Sequence, residues 1–211
     1  MISHKDNDQN RCRTVGAIIL AAGQGSRYRE VAGVDQDKLL ALCVGRDGVE
    51  RPVIEQTLRN VPASIETRWL VTTPDRPEVA RLARAYGCEV LLLASAGMGD
   101  SLATAVAACP ALEGWLVVLG DMPFILPSSI EQVVAGMAGD SISVPVHRGE
   151  FGHPVGFGAA LGPALMALSG DRGAKPLFAS ARVIEVPLED PGVLWDVDVP
   201  QVLVFREFSS D

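Results

Sequence analysis

The sequence predicts an α/β fold in which a mostly parallel sheet is covered by helices on both faces. Three observations lead there. From residue 15 to about residue 140, short apolar runs alternate with helical patterns, the rhythm of βαβ units. Two of these runs, Val15–Ala21 and Trp115–Leu119, are apolar throughout, as buried strands are. Each leads straight into a loop suited to a ligand, Ala22-Gly23-Gln24-Gly25-Ser26 after the first and Gly120-Asp121-Met122-Pro123 after the second. Open α/β sheets bind ligands at those carboxyl ends.

The elements follow in order. Val15–Ala21 reads as a strand and Pro52–Asn60 as a helix with Pro in its first turn. Thr67–Thr72 is a second strand. Pro77–Tyr86 is a helix stopped by Gly87, a residue suited to the position after a helix end. Cys88–Leu93 is a third strand, Ser101–Cys109 an Ala-rich helix and Trp115–Leu119 a fourth strand. Ser128–Met137 reads as a helix opened by a capping box of Ser128 and Glu131. After Gly139 the rhythm changes: Ser141–Val146 and His153–Phe157 read as strands around Arg148-Gly149-Glu150, a hairpin or a strand pair. Helices are expected near Pro163–Leu168 and Ala174–Ala181, a strand at Val183–Val186 and a last helix from about Pro200. With no repeat and no dividing linker, residues 1–14 are expected to be a polar tail and residues 15–211 one domain.

Composition bounds the partners. The 211 residues are 48% hydrophobic but only 5% aromatic, so the core should rest on Ala, Val, Leu and Ile. A formal charge of -8 argues against a nucleic-acid or anionic-membrane binder, although an anionic substrate could be held by local cations or a metal. Cys12, Cys43, Cys88 and Cys109 are scattered without zinc or redox spacing and read as free thiols of a reducing compartment. Met1–Arg13 lacks the apolar core of a signal peptide. No run reaches the ~18 apolar residues of a membrane span. A soluble, cytoplasmic protein is expected, acting as a monomer.

The loop from Leu20 and Ala21 through Ser26 is built of small residues that let backbone N–H groups approach an anion, and Arg27 adds a guanidinium matched to phosphate oxygens. A plain tight βα connection is the alternative. Gly23 and Gly25 fit the start of a dinucleotide fingerprint, but Tyr28 stands where a third glycine belongs, and no Gly-Lys-Ser/Thr follows. Asp121, set just beyond a buried strand, suits a metal ion, or simply a turn before Pro123. Asp196 and Asp198 alternate along Trp195-Asp-Val-Asp-Val-Pro200 and should face one side; Asp198 also suits a helix N-cap, a role compatible with a metal contact. Asp100 or Ser101 could cap the Ala-rich helix, Lys38 could be a solvated cation, His153 a loop residue, and Arg172 and Lys175 helix-surface cations.

The longer string Leu20-Ala-Ala-Gly-Gln-Gly-Ser-Arg27 resembles the signature of the MobA-like nucleotidyltransferases, including the molybdenum cofactor cytidylyltransferases. Further segments in family order extend the resemblance from Val15 to about Val204: Gly97-Met98-Gly99-Asp100-Ser101-Leu102, Gly120-Asp121-Met122-Pro123, Gly152-His153-Pro154-Val155-Gly156-Phe157, Gly170-Asp171-Arg172-Gly173-Ala174 and Asp196-Val-Asp198. The resemblance implies a three-layer, Rossmann-like sheet of the nucleotide-diphospho-sugar transferase type. Its nucleotide half would be about residues 15–140 and its acceptor half about 141–200. It implies that Leu20, Ala21, Ala22, Gly23, Gln24, Gly25 and Ser26 wrap the nucleotide, with Gly97 and Ser101 beside it. Arg27 and Lys38 would contact phosphates, Asp121 and Asp198 (in preference to Asp196) would hold Mg2+ or Mn2+, and His153, Asp171 and Arg172 would lie on the acceptor side. Leu-Ala-Ala-Gly, in place of the Leu-Ala-Gly-Gly usual in guanylyltransferase members, tilts the base towards cytosine. The chain departs from the family in the long segment Arg29–Asp37 before Lys38.

The implied reaction is transfer of CMP from CTP to the phosphate of molybdopterin or its molybdenum form, with pyrophosphate released and a molybdenum hydroxylase as the natural recipient. A phosphate monoester is largely ionised at neutral pH, so it needs no general base, and no catalytic Ser, Cys or His is expected. Three alternatives stay open: the same chemistry with another nucleotide or another phosphate acceptor such as a sugar phosphate or phospholactate, a nicotinamide-dependent oxidoreductase, and a non-catalytic nucleotide sensor.

Overall fold

A computed structural model describes residues 14–94, 97–109 and 113–205. The polar tail and Cys12 lie outside the described residues, apart from Thr14. The strands are β1 (Val15–Leu20), β2 (Leu42–Val44), β3 (Glu50–Pro52), β4 (Arg68–Thr72), β5 (Glu89–Leu92), β6 (Gly114–Leu119), β7 (Ser141–His147), β8 (Glu150–Phe151), β9 (Val155–Gly158) and β10 (Arg182–Pro187). The α-helices are α1 (Ser26–Ala32), α2 (Val53–Asn60), α3 (Pro77–Ala85), α4 (Met98–Ala108), α5 (Pro127–Ala135) and α6 (Gly162–Met166).

One sheet runs in the order β10-β7-β9-β6-β1-β4-β5, with β8 added to β7. β6, β1, β4 and β5 are parallel neighbours, and β10 is parallel to β7. β9 runs antiparallel to both β6 and β7, so the two halves are stitched by one reversed strand. β1 and β6 are buried almost throughout, as strands covered on both faces are, and successive side chains enter opposite cores. Ala17 and Ile19 join one core cluster with Val53, Ile54 and Leu58 of α2, Val79 and Leu82 of α3 and Ile130 and Val133 of α5. Ile18, between them, joins the other with Leu102, Ala105 and Val106 of α4 and Leu165 of α6. The result is three layers, helix–sheet–helix. Among the described residues no helix is long and apolar enough to cross a membrane.

Several expectations are corrected. α1 and the β2–β3 hairpin do not announce themselves: α1 starts from Gly25 in a left-handed conformation (φ +63), with one buried residue, Tyr28, and no long apolar stripe. Pro52 is the N-cap of α2 and so sits outside its first turn. The capping box at Ser128 and Glu131 does not form: α5 begins at Pro127 after Leu126, without a side-chain cap. The neighbouring Ser129 hydroxyl instead donates to Asp190 (2.7 Å). The segments expected as helices at 174–181 and from 200 are short 3-10 turns, Lys175–Ala179 and Pro200–Val202. Arg148 and Gly149 take positive φ (51° and 83°), as a two-residue hairpin turn needs, and close β7 onto β8; β9 is a further partner of β7.

Asp190, which no motif flags, ties together segments far apart in the chain. It is 2% exposed, and its two oxygens accept from Arg46 Nη2 (2.7 Å), Gly192 N–H (3.0 Å), Leu126 N–H (2.9 Å) and Ser129 Oγ. A buried carboxylate is tolerated when its lone pairs are met in this way. Cys43, Cys88 and Cys109 are free and buried. Burial pushes the first two thiols up to about 11 and the third to about 12, which leaves them unreactive.

Candidate active site

The site lies where β1 and β6 end side by side. Gly120 N–H donates to Leu20 O (2.9 Å), and a Cβ on Gly120 would stand 3.0 Å from that same oxygen. Glycine at this position lets the loop carrying Asp121 lie against the small-residue loop. Thr57 Oγ1 donates to Gly120 O (3.1 Å) from below. The loop after β1 borders a cleft of about 590 Å3 lined by Leu20–Gln24, Lys38, Leu39, Gly97, Met98, Ser101, Leu119, Asp121 and Asp171. A Cβ on Gly23 would meet nothing within 4 Å, so its backbone faces open space that a ligand can approach.

Lys38 is the hub. Its Nζ donates to Asp121 Oδ2 (2.5 Å) and to Asp198 Oδ1 (3.2 Å). Asp198 Oδ2 in turn accepts from Arg27 Nη1 (2.7 Å). Burial alone would lower the Lys38 pKa, but the two carboxylates outweigh it and hold the ammonium above its ordinary value. Burial likewise opposes ionisation of Asp198, and Arg27 and Lys38 overcome it and hold that carboxyl below its usual range. Asp198 does not cap the last turn: Val199 occupies the N-cap position there, with no side-chain cap. Val197 between the two acids is buried, and its N–H donates to Asp121 O (2.9 Å). Asp196 opens instead on a neighbouring cavity with His147 and Trp195. Desolvation, with the charges of Asp198 and Asp121, raises its pKa.

The opposite wall is stapled by Asp100. Neither Asp100 nor Ser101 is the N-cap of α4; Gly97 is, and Asp100 Oδ2 accepts from Gly97 N–H (3.1 Å) and from Gly170 N–H (2.9 Å). Gly99 N–H donates back to Gly170 O (2.7 Å). The approach is so close that a Cβ on Gly97 would stand 2.3 Å from the Gly170 carbonyl. This staple joins the segment beside the cleft to the Asp171-Arg172 loop.

A second cavity, of about 670 Å3, shares Leu20, Met98, Leu119 and Asp171 with the first. Its walls are mostly apolar, with Val144, Val155, Phe157 and Phe178, and it holds His153, Arg172 and Lys175. His153 Nδ1 is buried without a hydrogen-bond partner. Burial, assisted by Lys175 and opposed by Asp121, lowers the His153 pKa to about 4, so the ring is neutral at pH 7.

The structure thus brings Leu20, Ala21, Ala22, Gly23, Gln24, Lys38, Gly97, Ser101, Asp121 and Asp171 to one cleft. Arg27 and Asp198 form a pair bound to its Lys38, and His153, Arg172 and Asp171 line the adjoining cavity. Gly25 and Ser26 start α1 and do not line the cleft. Arg76 was missed by sequence reasoning: a single Arg after Thr73-Pro74-Asp75 carries no signal, yet it is buried and donates to Ala21 O.

The carboxylate pair can be tested as a metal site by its donors. Two hard oxygen groups already share one cation, Lys38, and Mg2+ or Mn2+ binds a few carboxylates with substrate phosphates and water completing the shell. Among the described residues there is no cluster of three or more His, Cys, Asp or Glu, so a metal here would depend on a bound phosphate. The residues present fit an ion that arrives with a nucleotide.

Residues 17–185 match the MobA-like NTP transferase domain. The purine catabolism protein PucB of Bacillus subtilis is 28% identical over 113 residues, which are 51% of this chain and 55% of PucB, so the match spans about half of that protein. A nucleotidyl transferase from Methanothermobacter thermautotrophicus (Mth528) superposes with a TM-score of 0.75 at 25% identity, covering 90% of this chain and 94% of that one. Rv0371c of Mycobacterium tuberculosis, in complex with manganese, superposes with a TM-score of 0.70 at 24% identity, covering 90% and 95%. The chain belongs to the MobA-like NTP transferase family.

Proposed function

For this member of the MobA-like NTP transferase family, we propose transfer of CMP from CTP to the phosphate of molybdopterin or its molybdenum form. The observation that carries nucleotidyl transfer is Lys38, held between Asp121 and Asp198 at the rim of a cleft floored by Gly23. An oxygen of the acceptor phosphate attacks the α-phosphorus, the bond from that phosphorus to the bridging α–β oxygen breaks, and pyrophosphate leaves. Backbone N–H groups of residues 22–24 cradle the triphosphate, and Arg27 and Lys38 meet the charge that grows on the departing pyrophosphate. Asp121 and Asp198 would hold Mg2+, or Mn2+, which supplies neutralisation of phosphate charge. Once phosphates draw Lys38 and Arg27 towards them, both carboxylates are freed for that ion. His153, neutral at pH 7, is a lining group of the acceptor cavity and no base is required of it.

Cytosine is supported by the Leu20-Ala-Ala-Gly string. The largely apolar cavity beside Asp171 favours an acceptor with a broad, weakly solvated body over a polyhydroxylated sugar phosphate, with Arg172 and Lys175 placed to meet anionic groups. The reaction would take place in the cytoplasm, with a molybdenum hydroxylase as recipient of the product. Thermal unfolding with CTP, GTP, ATP and UTP, each with and without Mg2+, tests the reading. CTP with Mg2+ should stabilise selectively, by about 2.7 kcal/mol at 100 times its Kd. Pyrophosphate should then be released only when molybdopterin is added. Preference for another nucleotide would overturn the assignment of the base, and release with a sugar phosphate in place of molybdopterin would overturn the assignment of the acceptor.

A further inference from the structure

Arg76 stands outside every motif above, yet it ties together the two segments that would handle phosphate. Its backbone is fixed at the start of α3, where Arg76 N–H donates to Thr73 O (3.1 Å). Its side chain is 6% exposed. Nη1 donates to Ala21 O (2.9 Å), a carbonyl that also accepts from Thr72 Oγ1 (3.3 Å). Nε lies 3.1 Å from Asp37 Oδ2 without an aligned hydrogen bond, so that contact is a charge pair. The other Asp37 oxygen accepts from Leu39 N–H (3.0 Å), and the Asp37 carbonyl accepts from the N–H groups of Leu40 and Ala41. Ala21 directly precedes the small-residue loop, and Asp37 directly precedes Lys38. One buried guanidinium therefore spans the roots of both.

We propose that Arg76 is a positioning residue for the triphosphate site, acting with Asp37 to hold the Lys38 ammonium in register with the backbone N–H groups of residues 22–24. The inference rests on the nucleotidyl-transfer reading. Lys38 follows the irregular connection 33–37 beyond the end of α1, and such a connection fixes its end poorly unless something anchors it. A buried charge without a partner is costly, so Arg76 and Asp37 hold each other in place and the loop root with them. Such a role affects the chemistry strongly, because a misplacement of about 1 Å in a positioning group can cost about 10²-fold in rate.

The test is a double-mutant cycle of Arg76→Met, Asp37→Asn and the pair, reading the Kd of inorganic tripolyphosphate with Mg2+ by calorimetry and the KM and kcat for the preferred nucleotide. Tripolyphosphate makes the outcome independent of the base. Each single variant should weaken tripolyphosphate binding about tenfold, and the double variant should be no weaker than the worse single, as coupled partners require. Arg76→Lys, which can reach one partner but cannot match the fork to both, should recover only part of the affinity. A purely structural role would lower the unfolding temperature and leave the affinity of the folded protein unchanged, and that result would overturn the proposal. If Arg76→Met fails to fold, Asp37→Asn and Arg76→Lys carry the test alone. Failure of the wild type to bind tripolyphosphate would sink the function proposed above; unchanged variants of a binding wild type would sink only the Arg76 role.

Discussion

The cleft beside Gly23 and the cavity around His153 share four lining residues and differ in almost everything else. The cleft is floored by backbone and organised by charge: Arg27, Asp198, Lys38 and Asp121 form one connected chain of opposite signs. The cavity is walled by apolar side chains, and the imidazole inside it is neutral. Under the proposed function, the difference teaches how the carboxyl ends of one sheet would separate two tasks. Stabilising a polyphosphate needs fixed dipoles and cations, whereas holding an acceptor needs a dry, shaped surface whose few polar groups fix orientation. The Asp100–Gly170 staple links the two.

The strongest way to break this comparison is at the charged chain. Asp121→Ala should lower turnover by about 10³-fold while circular dichroism and the unfolding transition show the fold retained. Near-normal turnover would remove the charge chain from the chemistry. Lys38→Met should lower kcat by about 10²-fold. It also carries a sharper signature: with the ammonium gone, Asp121 and Asp198 repel, so Mg2+ alone should stabilise this variant more than it stabilises the wild type in thermal unfolding. Equal stabilisation of the two would show that the carboxylates do not share the ion.

The cavity side predicts a pH effect of the opposite character. His153 is held neutral, with its folded pKa (about 4) below the unfolded value of 6.5. The unfolded chain therefore binds the proton first, and the contribution is full above pH 6.5 and lost as pH falls from 6.5 towards 4. The loss should amount to roughly 2 to 3 kcal/mol by urea unfolding across that window, and His153→Gln should remove this part of the slope. An unchanged slope in the variant would mean the imidazole is not desolvated. The smallest expected effect is that of Phe178→Ala, which should raise the acceptor KM about fivefold to tenfold and leave the nucleotide KM unchanged. A rise in both would show that the cleft and the cavity are not separable.

The two regions were also unequally legible. Loops after β1 and β6 could be read because a buried apolar run followed by small residues or an acid is a local pattern. The same local logic found the strand–helix alternation through α4. It failed at α1, whose start depends on Gly25 in a left-handed conformation and which buries Tyr28 alone. It failed again at Ser128, where a capping pattern lost to Pro127 and to the pull of Asp190 on Ser129. Asp198 illustrates the same limit: Asp-Val-Pro is a sound N-cap pattern, but two cations from distant segments claim the carboxylate.

By itself the sequence determined the class of fold, the places where β1 and β6 hand over to loops, and the family, because these rest on neighbours in the chain. Only the tertiary structure decided that Lys38 meets Asp198 across 160 residues. It alone decided that Arg76 joins Ala21 to Asp37 and that burial keeps His153 neutral well into the acid range. Charge pairing and desolvation depend on which surfaces pack together and how much water they exclude. Those quantities exist only once segments far apart in the chain have met.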